Sequence, residues 1–295
     1  MHAISPMLLS PSNTLPAHGY AFEFKWDGFR SIVTLDRGWI TVHSLNLRDM
    51  TSDFPEIQPL ADTMRKQRLI LDGELVCLSD DGRPNFDRIQ QKLRRGHRAQ
   101  HEAVFMAFDL LRQGDNDLRD LPYTERRKRL EALGLCGTHW RVPRYELDGA
   151  AMLRVSREHA LEGVVAKRLV SRYEPGKRGK DWLKIKNFKE AGFLVCGWLP
   201  ADGKREHGES LIVGRRDNDG ELRYAGTVEY GFSRGTVHSI KKALTGHVVS
   251  LPPFGAHFKL SGATYCEPLL SALIRYLEWT SGGTLRHASF RSIIY

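Results

Sequence analysis

The pattern of apolar residues and glycines changes along the chain, and this change constrains the fold more than any other feature. In residues 1–188, apolar runs of strand length alternate with stretches of helical periodicity. In residues 189–295, short strands are separated mainly by glycine turns, as in Ser210–Gly214, Asp217–Gly220 and Leu222–Val228. A chain of 295 residues is also long for a single hydrophobic core. We therefore predict two domains, 1–188 and 189–295, divided within the polar stretch Asn187–Ala191.

Most predicted elements of the first domain are strands. Apolar or alternating runs predict them at Ala21–Lys25, Ser31–Leu35, Trp39–Val42, Leu69–Leu78 and Val104–Leu111. Helices are predicted after the N-cap residues Asn85 and Asp148, and over Thr124–Leu133 before Gly134. In the second domain, helices are predicted near Thr236–Leu244 and Pro268–Leu277. The pattern indicates a mixed domain followed by a small β-barrel.

Composition and charge narrow the class of protein. The 44 Lys and Arg residues exceed the 35 Asp and Glu residues and give a net charge of +9, which favours a polyanionic partner. No apolar run approaches the roughly 18–20 residues of a membrane span, and the first residues do not resemble a signal peptide. The four cysteines are too far apart in sequence for a disulfide framework or a zinc knuckle. These features predict a cytoplasmic protein without a membrane partner.

The most informative segment is residues 23–30, Glu-Phe-Lys-Trp-Asp-Gly-Phe-Arg. It places Lys25 at the end of an apolar strand, before an Asp-Gly turn and close to the cation Arg30. A lysine amine is a nucleophile only when it is deprotonated, and burial or neighbouring cations favour that form. A lysine before a turn can equally be an ordinary strand-end residue whose ammonium reaches solvent. The segment alone leaves both readings open.

Five segments in order resemble the motifs of ATP-dependent DNA ligases. The segment around Lys25 is similar to the nucleotidyl-transfer motif of that family. The others follow at similar separations, as residues 71–76 (LDGELV), 105–111 (FMAFDLL), 162–167 (EGVVAK) and 182–186 (WLKIK). The tail from Glu278 to Phe290 also resembles the bacterial ligase C and ligase D group. The resemblance runs from about Pro6 to Phe290, which is nearly the whole chain.

The resemblance implies a fold and a reaction. The fold is α+β, with a nucleotidyltransferase (adenylation) domain of antiparallel sheets and flanking helices, followed by an OB-fold barrel. The expected reaction seals nicks in duplex DNA in three steps, with ATP and Mg²⁺ (or Mn²⁺). A lysine–AMP adduct forms, AMP passes to the 5′-phosphate, and the 3′-hydroxyl then displaces AMP. Each step is a displacement at phosphorus, so positioning and electrostatic stabilisation carry the catalysis.

The same resemblance assigns roles to individual residues. Lys25 is the expected nucleophile, and Asp27 in the turn is expected to serve the later steps. The carboxylates Glu74 and Glu162 are expected to hold the metal, because burying them next to apolar strands is costly without a cation. Lys184 and Lys186 alternate along a strand and share one face, which suits a triphosphate. The expected ATP-binding set is Glu23 near the base, Arg30 and Glu74 near the ribose, Phe108 stacked on adenine, and Lys167, Lys184 and Lys186 on the phosphates.

The sequence departs from the family pattern where the DNA end is expected to bind. Relatives usually read Ser-Arg-Asn-Gly after the first hairpin, whereas this chain reads Ser44-Leu45-Asn46-Leu47. We expect Arg48 to take the place of the missing arginine. The densest basic run is residues 92–98, which is either a solvated helix end or a phosphate-binding patch. On the second interpretation, Arg94, Arg95 and Arg98 bind DNA together with Arg48.

A second departure lies near the end of the sequence. Relatives carry an Arg-x-Asp-Lys motif that closes the barrel domain over ATP, and an alignment without gaps places its arginine at Ile294. The motif is therefore missing or has diverged in these 295 residues. This departure predicts impaired self-adenylylation, with sealing of an already adenylylated nick retained.

Two other classes of function remain open at this stage. An RNA ligase or a capping-type nucleotidyltransferase would keep the lysine chemistry and change the acceptor, although the tail around Trp279 disfavours it. A non-catalytic nucleic-acid-binding relative would keep the fold, although the intact lysines and glutamates disfavour that reading. The leading prediction is a monomeric bacterial DNA-repair ligase near the nucleoid that acts on nicked duplex DNA, with end-binding repair proteins as possible partners.

Overall fold

The computed structural model describes residues 4–95, 100–200, 209–233, 235–255 and 257–294. The chain divides between Asn187 and Phe188 into two compact units. The polar stretch Asn187–Ala191 is not a long linker, because Lys189 already begins a strand. No helix in the described ranges is long and apolar enough to cross a membrane.

Among its described residues, the first unit contains ten strands and four α-helices. The strands are β1 (Leu8–Pro11), β2 (Tyr20–Phe24), β3 (Phe29–Asp36), β4 (Trp39–Ser44), β5 (Arg68–Cys77), β6 (Ala103–Gln113), β7 (Asn116–Asp117), β8 (Trp140–Arg141), β9 (Gly163–Arg168) and β10 (Arg178–Lys186). The helices are α1 (Leu60–Thr63), α2 (Phe86–Arg95), α3 (Tyr123–Ala132) and α4 (Gly149–Glu158). Short 3₁₀ turns cover Thr51–Asp53 and Pro55–Ile57.

These strands form two sheets. The four-stranded sheet has the order β1-β10-β9-β2, and the six-stranded sheet has the order β4-β3-β5-β6-β7 with β8 beside β6. The prediction of antiparallel sheets holds for most pairs, but β1 runs parallel to β10 and β8 runs parallel to β6. The apolar strands β5 and β6 are almost completely buried and supply much of the main core of this unit.

Local signals in the sequence explain where the helices begin and end. The Asn85 side chain accepts a hydrogen bond from the backbone N–H of Arg88, and Asp148 does the same for Ala151, so the two predicted N-caps are confirmed. Gly134 follows α3 with a positive φ of 64°, as expected for a glycine that ends a helix. Helix α4 packs its apolar side against β2 and β9 through Phe22, Met152 and Val164.

The second unit is one antiparallel sheet with a single helix of more than one turn among its described residues. Its strands are β11 (Lys189–Leu199), β12 (Ser210–Arg216), β13 (Leu222–Val228), β14 (Val248–Val249), β15 (Thr264–Cys266), β16 (Ser271–Tyr276) and β19 (Ser289–Ile294), and the helix is α5 (Thr236–Leu244). A separate hairpin joins β17 (Glu278–Trp279) to β18 (Leu285–Arg286). A bridge between Tyr230 and Ser289 connects the segment after β13 to β19 at the opposite edge of the sheet. This closure gives the predicted small barrel and protects its edges.

The long strand β11 pairs with three neighbours and organises this barrel. Residues 189–194 pair with β16, and Gly197 and Trp198 pair with β15, while β12 lies on the other side. Gly197 has a φ of 148°, and a Cβ there would lie 2.2 Å from the carbonyl oxygen of Thr264. Glycine is therefore needed where β11 changes partner.

The helix predicted near Pro268–Leu277 is wrong. Residues 271–276 form β16, which pairs with β11 and β19. Every second side chain is buried, namely Ala272, Ile274 and Tyr276, and this period of two belongs to a strand with one face in the core. The run was too short for periodicity alone to separate a buried strand from a helix.

Candidate functional site

Lys25 lies at the end of β2, where residues of both sheets of the first unit line one pocket. The backbone N–H of Lys25 donates to the carbonyl oxygen of Gly163, which fixes the lysine beside β9. Gly28 and Gly163 allow the strands to come this close, because a Cβ at either would lie within 2.1 Å of a backbone oxygen. The pocket is lined by Leu9, Glu23, Phe24, Lys25, Trp26, Arg30, Glu74, Phe108, Val165, Lys167 and Trp182.

The Lys25 ammonium is held by a buried carboxylate that it shares with a second lysine. Glu162 Oε2 lies 2.5 Å from Lys25 Nζ, and Oε1 of the same carboxylate lies 2.7 Å from Lys186 Nζ. The two neighbouring lysines hold the pKa of Glu162 below its usual value, against the opposing effect of burial. Lys25 therefore sits in an ion pair, and its proton has to leave before the nitrogen can attack.

Lys184 and Lys186 share one face of β10, as predicted from their spacing. In the cross-strand register Lys184 stands opposite Val165 and Lys186 opposite Gly163. Burial, together with the nearby cations Lys186 and Lys25, lowers the pKa of Lys184. No carboxylate in the described part of the chain lies within 4.0 Å of Lys184 Nζ. This end of the pocket therefore carries positive charge that a polyphosphate would neutralise.

Glu74 lies on β5, opposite Arg30 of β3, at the same end of the pocket as Lys25. It makes no ion pair with a described residue, and burial raises its pKa to about 7 despite the opposing effect of Lys25 and Arg30. A carboxyl group in this state is costly to ionise unless a cation or a hydroxyl group joins it. The observation fits a ribose or a metal ion as its partner.

Phe108 is placed against two cations. The guanidinium carbon of Arg30 lies 4.5 Å from the ring centroid, and Lys167 Nζ lies 4.1 Å from it. The side chain is 7% exposed, and Val165 lines the same pocket. The structure thus places Phe108 in the pocket predicted to bind ATP, where Arg30 and Lys167 make cation–π contacts with its ring.

Glu23 is the centre of a buried network at this end of the pocket. Its carboxylate accepts hydrogen bonds from the Tyr123 hydroxyl at 2.5 Å and from Lys167 Nζ at 3.0 Å, and the second carboxylate oxygen forms an ion pair with the same ammonium at 2.9 Å. Arg127 Nη1 lies 3.6 Å from Glu23 Oε1. Glu23, Lys167 and Arg127 are 1–2% exposed, so the charges balance one another out of contact with water.

The structure places Lys167 next to Glu23, and its expected contact with the phosphates stays a prediction. Its ammonium is bound by Glu23 and by the backbone carbonyl of Phe108, and it lies 4.5 Å from the ring centroid of Trp182. These contacts hold the Lys167 ammonium at the Phe108 end of the pocket. The sequence showed only that a lysine ends the strand, and it could not show which carboxylate the lysine meets.

Four residues that sequence reasoning missed support the predicted ones. Asp72 accepts two hydrogen bonds from the Arg30 guanidinium, at 2.6 and 2.7 Å, and a third from the Tyr173 hydroxyl. Tyr123 and Arg127 of α3 contact Glu23 from a distance of about a hundred residues in sequence. Helix α3 buries Arg126 and Arg127 instead of an apolar stripe, so its pattern gave no sign of contact with the site.

The pocket offers few ligands for a divalent cation. Among the described residues, no three His, Cys, Asp or Glu side chains cluster as a metal cage. Glu74 and Glu162 are nevertheless two carboxyl groups in the same charged region as Lys25, and the charge of Glu162 acts on Glu74. Mg²⁺ is commonly held by one or two carboxylates together with substrate phosphates, so the pair fits an ion that arrives with a nucleotide.

Three of the four predicted DNA-binding arginines are described, and they lie outside this pocket. Arg48 is exposed and pairs with Asp53 at 2.7 Å, whereas Arg94 and Arg95 are exposed at the end of α2. Arg98 lies outside the described residues. Lys92 does not belong to this basic surface, because it is buried and pairs with Glu56 at 3.1 Å.

The turn that carries Arg48 is strained. Leu47 has a φ of 62°, a region that costs a residue with a Cβ about 1–2 kcal/mol and that glycine enters readily. The N–H of Leu47 and that of Arg48 both donate to Ser44, which closes the turn. Leu45 and Leu47 are both exposed there, so an apolar pair replaces the arginine and glycine of the family pattern.

Comparison with family models covers both units. The model described as ATP dependent DNA ligase domain matches residues 6–186, and the model described as ATP dependent DNA ligase C terminal region matches residues 204–293. The chain belongs to the family of ATP-dependent DNA ligases. The first unit is accordingly an adenylation domain of the α+β nucleotidyltransferase class, and the second is an OB-fold domain, as the sequence predicted.

Individual relatives agree with this assignment. The multifunctional non-homologous end joining DNA repair protein LigD of Mycobacterium tuberculosis is 36% identical over 298 residues, which cover 98% of this chain and 38% of that protein. DNA ligase C2 of Mycolicibacterium smegmatis is 35% identical over 235 residues, covering 76% of this chain and 65% of the relative. The chain thus spans little more than a third of the length of the LigD relative that it matches.

A solved structure matches over the whole chain. A mycobacterial DNA ligase D complexed with ATP and MES is 35% identical, with a TM-score of 0.61 over 99% of this chain and 95% of that one. The Lig E DNA ligases, studied for DNA binding with a minimal scaffold, share the fold at 17% identity and a TM-score of 0.62.

Proposed function

We propose that this chain seals nicks in duplex DNA with ATP, through a covalent AMP adduct on Lys25. The observation that carries the proposal is the placement of Lys25 between two unlike ends of one pocket. Lys184, Lys186 and Glu162 surround it on one side. Phe108, Val165 and the buried Glu23 form the other side. This arrangement suits a nucleoside triphosphate whose α-phosphate lies at the lysine.

In the first step, the Lys25 nitrogen forms a bond to the α-phosphorus, and the bond to the pyrophosphate oxygen breaks. Glu162 Oε2, at 2.5 Å, is the acceptor nearest to the proton that Lys25 must lose. Lys184 and Lys186 offset the negative charge that builds up on the phosphate oxygens. Glu74 and Glu162 would hold a divalent cation together with the phosphates, and that cation would supply further charge neutralisation. Because lysines engage both oxygens of Glu162, a cation there would replace one of them.

The later steps use the same pocket with DNA as the partner. AMP moves from Lys25 to the 5′-phosphate of the nick, and the 3′-hydroxyl then displaces it. We assign Asp27, in the turn after Lys25, to these steps, and Arg48, Arg94, Arg95 and Arg98 to binding of the DNA backbone. The two compact units, which divide after Asn187, then serve as the adenylation domain and the OB-fold domain, for which we propose the bounds 1–188 and 189–295.

The names of the relatives suggest the biological setting. LigD is named for DNA repair by non-homologous end joining. We therefore propose that this chain acts in bacterial DNA repair as a cytoplasmic monomer near the nucleoid, together with end-binding proteins. We also propose that self-adenylylation is impaired, because Ile294 stands where the family pattern has an arginine.

One experiment tests the central claim. The protein is mixed with ATP labelled at the α-phosphate and Mg²⁺, and the denatured protein is examined for covalent label. Label should form on the native chain and be absent from Lys25→Ala, whereas Lys180→Ala, an exposed lysine of β10, should label normally. Adding nicked DNA should then release the label and yield sealed DNA, and nicked RNA should not. Label that persists in Lys25→Ala would refute the proposal.

A further inference from the structure

Glu23 is held by donors that come from a helix outside all of the recognised motifs. Tyr123 stands at the first position of α3, and Arg127 lies one turn later on the same face. Both side chains reach Glu23 from α3, while Lys167 reaches it from β9. The ionised carboxylate is the form that these three donors stabilise, because a protonated one would direct an O–H at a donor.

The two carboxylate oxygens of Glu23 have different neighbours. Oε1 accepts a hydrogen bond from Tyr123 at 2.5 Å and also lies 2.9 Å from Lys167 Nζ and 3.6 Å from Arg127 Nη1. Among the described residues, Oε2 receives one hydrogen bond, from Lys167 at 3.0 Å. A carboxylate oxygen accepts about two hydrogen bonds, so Oε2 keeps acceptor capacity in the lining of the pocket.

Arg127 carries a polar atom that the structure leaves unpaired. Its Nη1 is buried and has no hydrogen-bond partner, although Nε bonds Glu131 at 2.8 Å and Nη2 bonds the carbonyl oxygen of Pro143. An unpaired buried donor on a charged group is costly unless its charge is used. Here its nearest charge is Glu23, and the attraction between them raises the pKa of Arg127. Arg127 thus fixes the charge of Glu23 without occupying Oε2.

We propose that Tyr123 and Arg127 are positioning residues that hold Glu23 as a hydrogen-bond acceptor for the 6-amino group of adenine and thereby set the preference for ATP over GTP. The proposal rests on the nucleotide-transfer function proposed above. Guanine presents a carbonyl oxygen where adenine presents the amine, and a fixed acceptor repels it. A site built around one hydrogen bond discriminates strongly, because the wrong ligand leaves its buried group unpaired.

The test compares nucleotides on variants of the network. The rate of covalent labelling of Lys25 is measured as kcat/KM with α-labelled ATP and GTP. In Tyr123→Phe the ATP-to-GTP ratio should fall about tenfold, the value of one hydrogen bond to a charged group, mainly through KM for ATP. Arg127→Lys should move the ratio in the same direction. The matched control is Tyr145→Phe, which removes a hydroxyl from a ring packed against Tyr123 and should leave the ratio unchanged.

Two further measurements distinguish a positioning role of Tyr123 from a general loss of structure in the variant. In a Glu23→Gln background, adding Tyr123→Phe should not change the ratio again, because its partner is already lost. In a Lys25→Met background, which cannot form the adduct, the difference between the thermal shifts produced by ATP and by GTP should shrink when Tyr123→Phe is added. Equal loss of the ATP and GTP reactions, or an unchanged ratio in both Tyr123→Phe and Arg127→Lys, would overturn the proposal. Absence of label from any nucleotide on the native chain, together with failure to seal an already adenylylated nick, would instead overturn the underlying function.

Discussion

The two ends of the nucleotide pocket are built differently around the same kind of group, a carboxyl removed from water. At the end with Phe108, Glu23 is bonded by Tyr123 and Lys167 and balanced by Arg127. On the Lys25 side of the pocket, Glu74 has no ion-pair partner among the described residues, and its pKa is raised to about 7. The first end is complete before a ligand binds, whereas the second is completed by the charges of its substrate.

This difference has a physical reason. A base is recognised through the direction of a few hydrogen bonds, so its site gains from being rigid and fully paired. A polyphosphate with a cation is recognised through charge, and unbalanced charge in the empty pocket strengthens the attraction. The base end therefore contributes stability to the fold, and the phosphate end is expected to weaken it.

The largest expected effect is a contrast between two lysines. Lys167→Met removes a buried cation from Glu23 and leaves the carboxylate short of a partner, so the free energy of unfolding should fall by about 3 kcal/mol or more. Lys184→Met removes a half-buried cation from among other cations, so the change should stay within about 0.5 kcal/mol. Urea unfolding of both variants measures this directly. Similar losses of unfolding free energy in both variants would mean that the two ends contribute equally to the stability of the fold.

The second effect is the dependence of stability on pH. The pKa of Glu74 rises from 4.5 to about 7 on folding. Between these values the folded state keeps a proton that the unfolded state loses, so this group's contribution to stability falls as the pH rises through that window. The advantage of Glu74→Gln over the native chain should grow by up to about 3 kcal/mol between pH 5 and 8. Unfolding is measured with EDTA and without nucleotide.

The converse outcome is equally informative. A constant difference between Glu74→Gln and the native chain across this range would show that Glu74 is already ionised in the empty pocket. In that case a nearby cation outweighs burial, and the phosphate end would resemble the base end.

A third measurement uses fragments of the nucleotide. Tripolyphosphate at ten times its Kd should raise the free energy of unfolding by about 1.4 kcal/mol. Lys184→Met should lose most of this gain while keeping the stabilisation by adenosine, and Tyr123→Phe should do the reverse. Thermal shifts with each fragment provide the readout. A variant that weakens both fragments equally would indicate that the ends are not independent.

The parts of this site that the sequence predicted are local ones. Lys25, Glu162, Lys184 and Lys186 could be found because each lies in a short segment whose strand spacing fixes its direction, and the structure brings them together. The base end could not be found in this way. Tyr123 meets Glu23 across a hundred residues of chain, and the helix that carries it buries arginines, which a hydrophobic pattern assigns to the surface.

Two predictions were wrong because a partner distant in sequence decides the structure. Lys92 belongs to a basic run that was assigned to the surface, but it is buried and pairs with Glu56 from a distant turn. Residues 268–277 were assigned to a helix, but pairing with β11 and β19 makes residues 271–276 a strand. In both cases the deciding partner lies far away in sequence, where local periodicity carries no information.

A further small change in stability is expected for Arg48, which lies outside both ends of the pocket. Its pair with Asp53 is exposed, so Arg48→Ala should cost less than about 1 kcal/mol. If Arg48 replaces the missing arginine of the family pattern, the variant should slow nick sealing more than it slows formation of the lysine–AMP adduct. Arg65→Ala removes another exposed arginine paired with an aspartate and serves as the control. We expect the pocket ends to govern adduct formation and the turn at Leu47 to act only once DNA is present. Equal slowing of both reactions by Arg48→Ala would instead mean that the turn affects the nucleotide pocket.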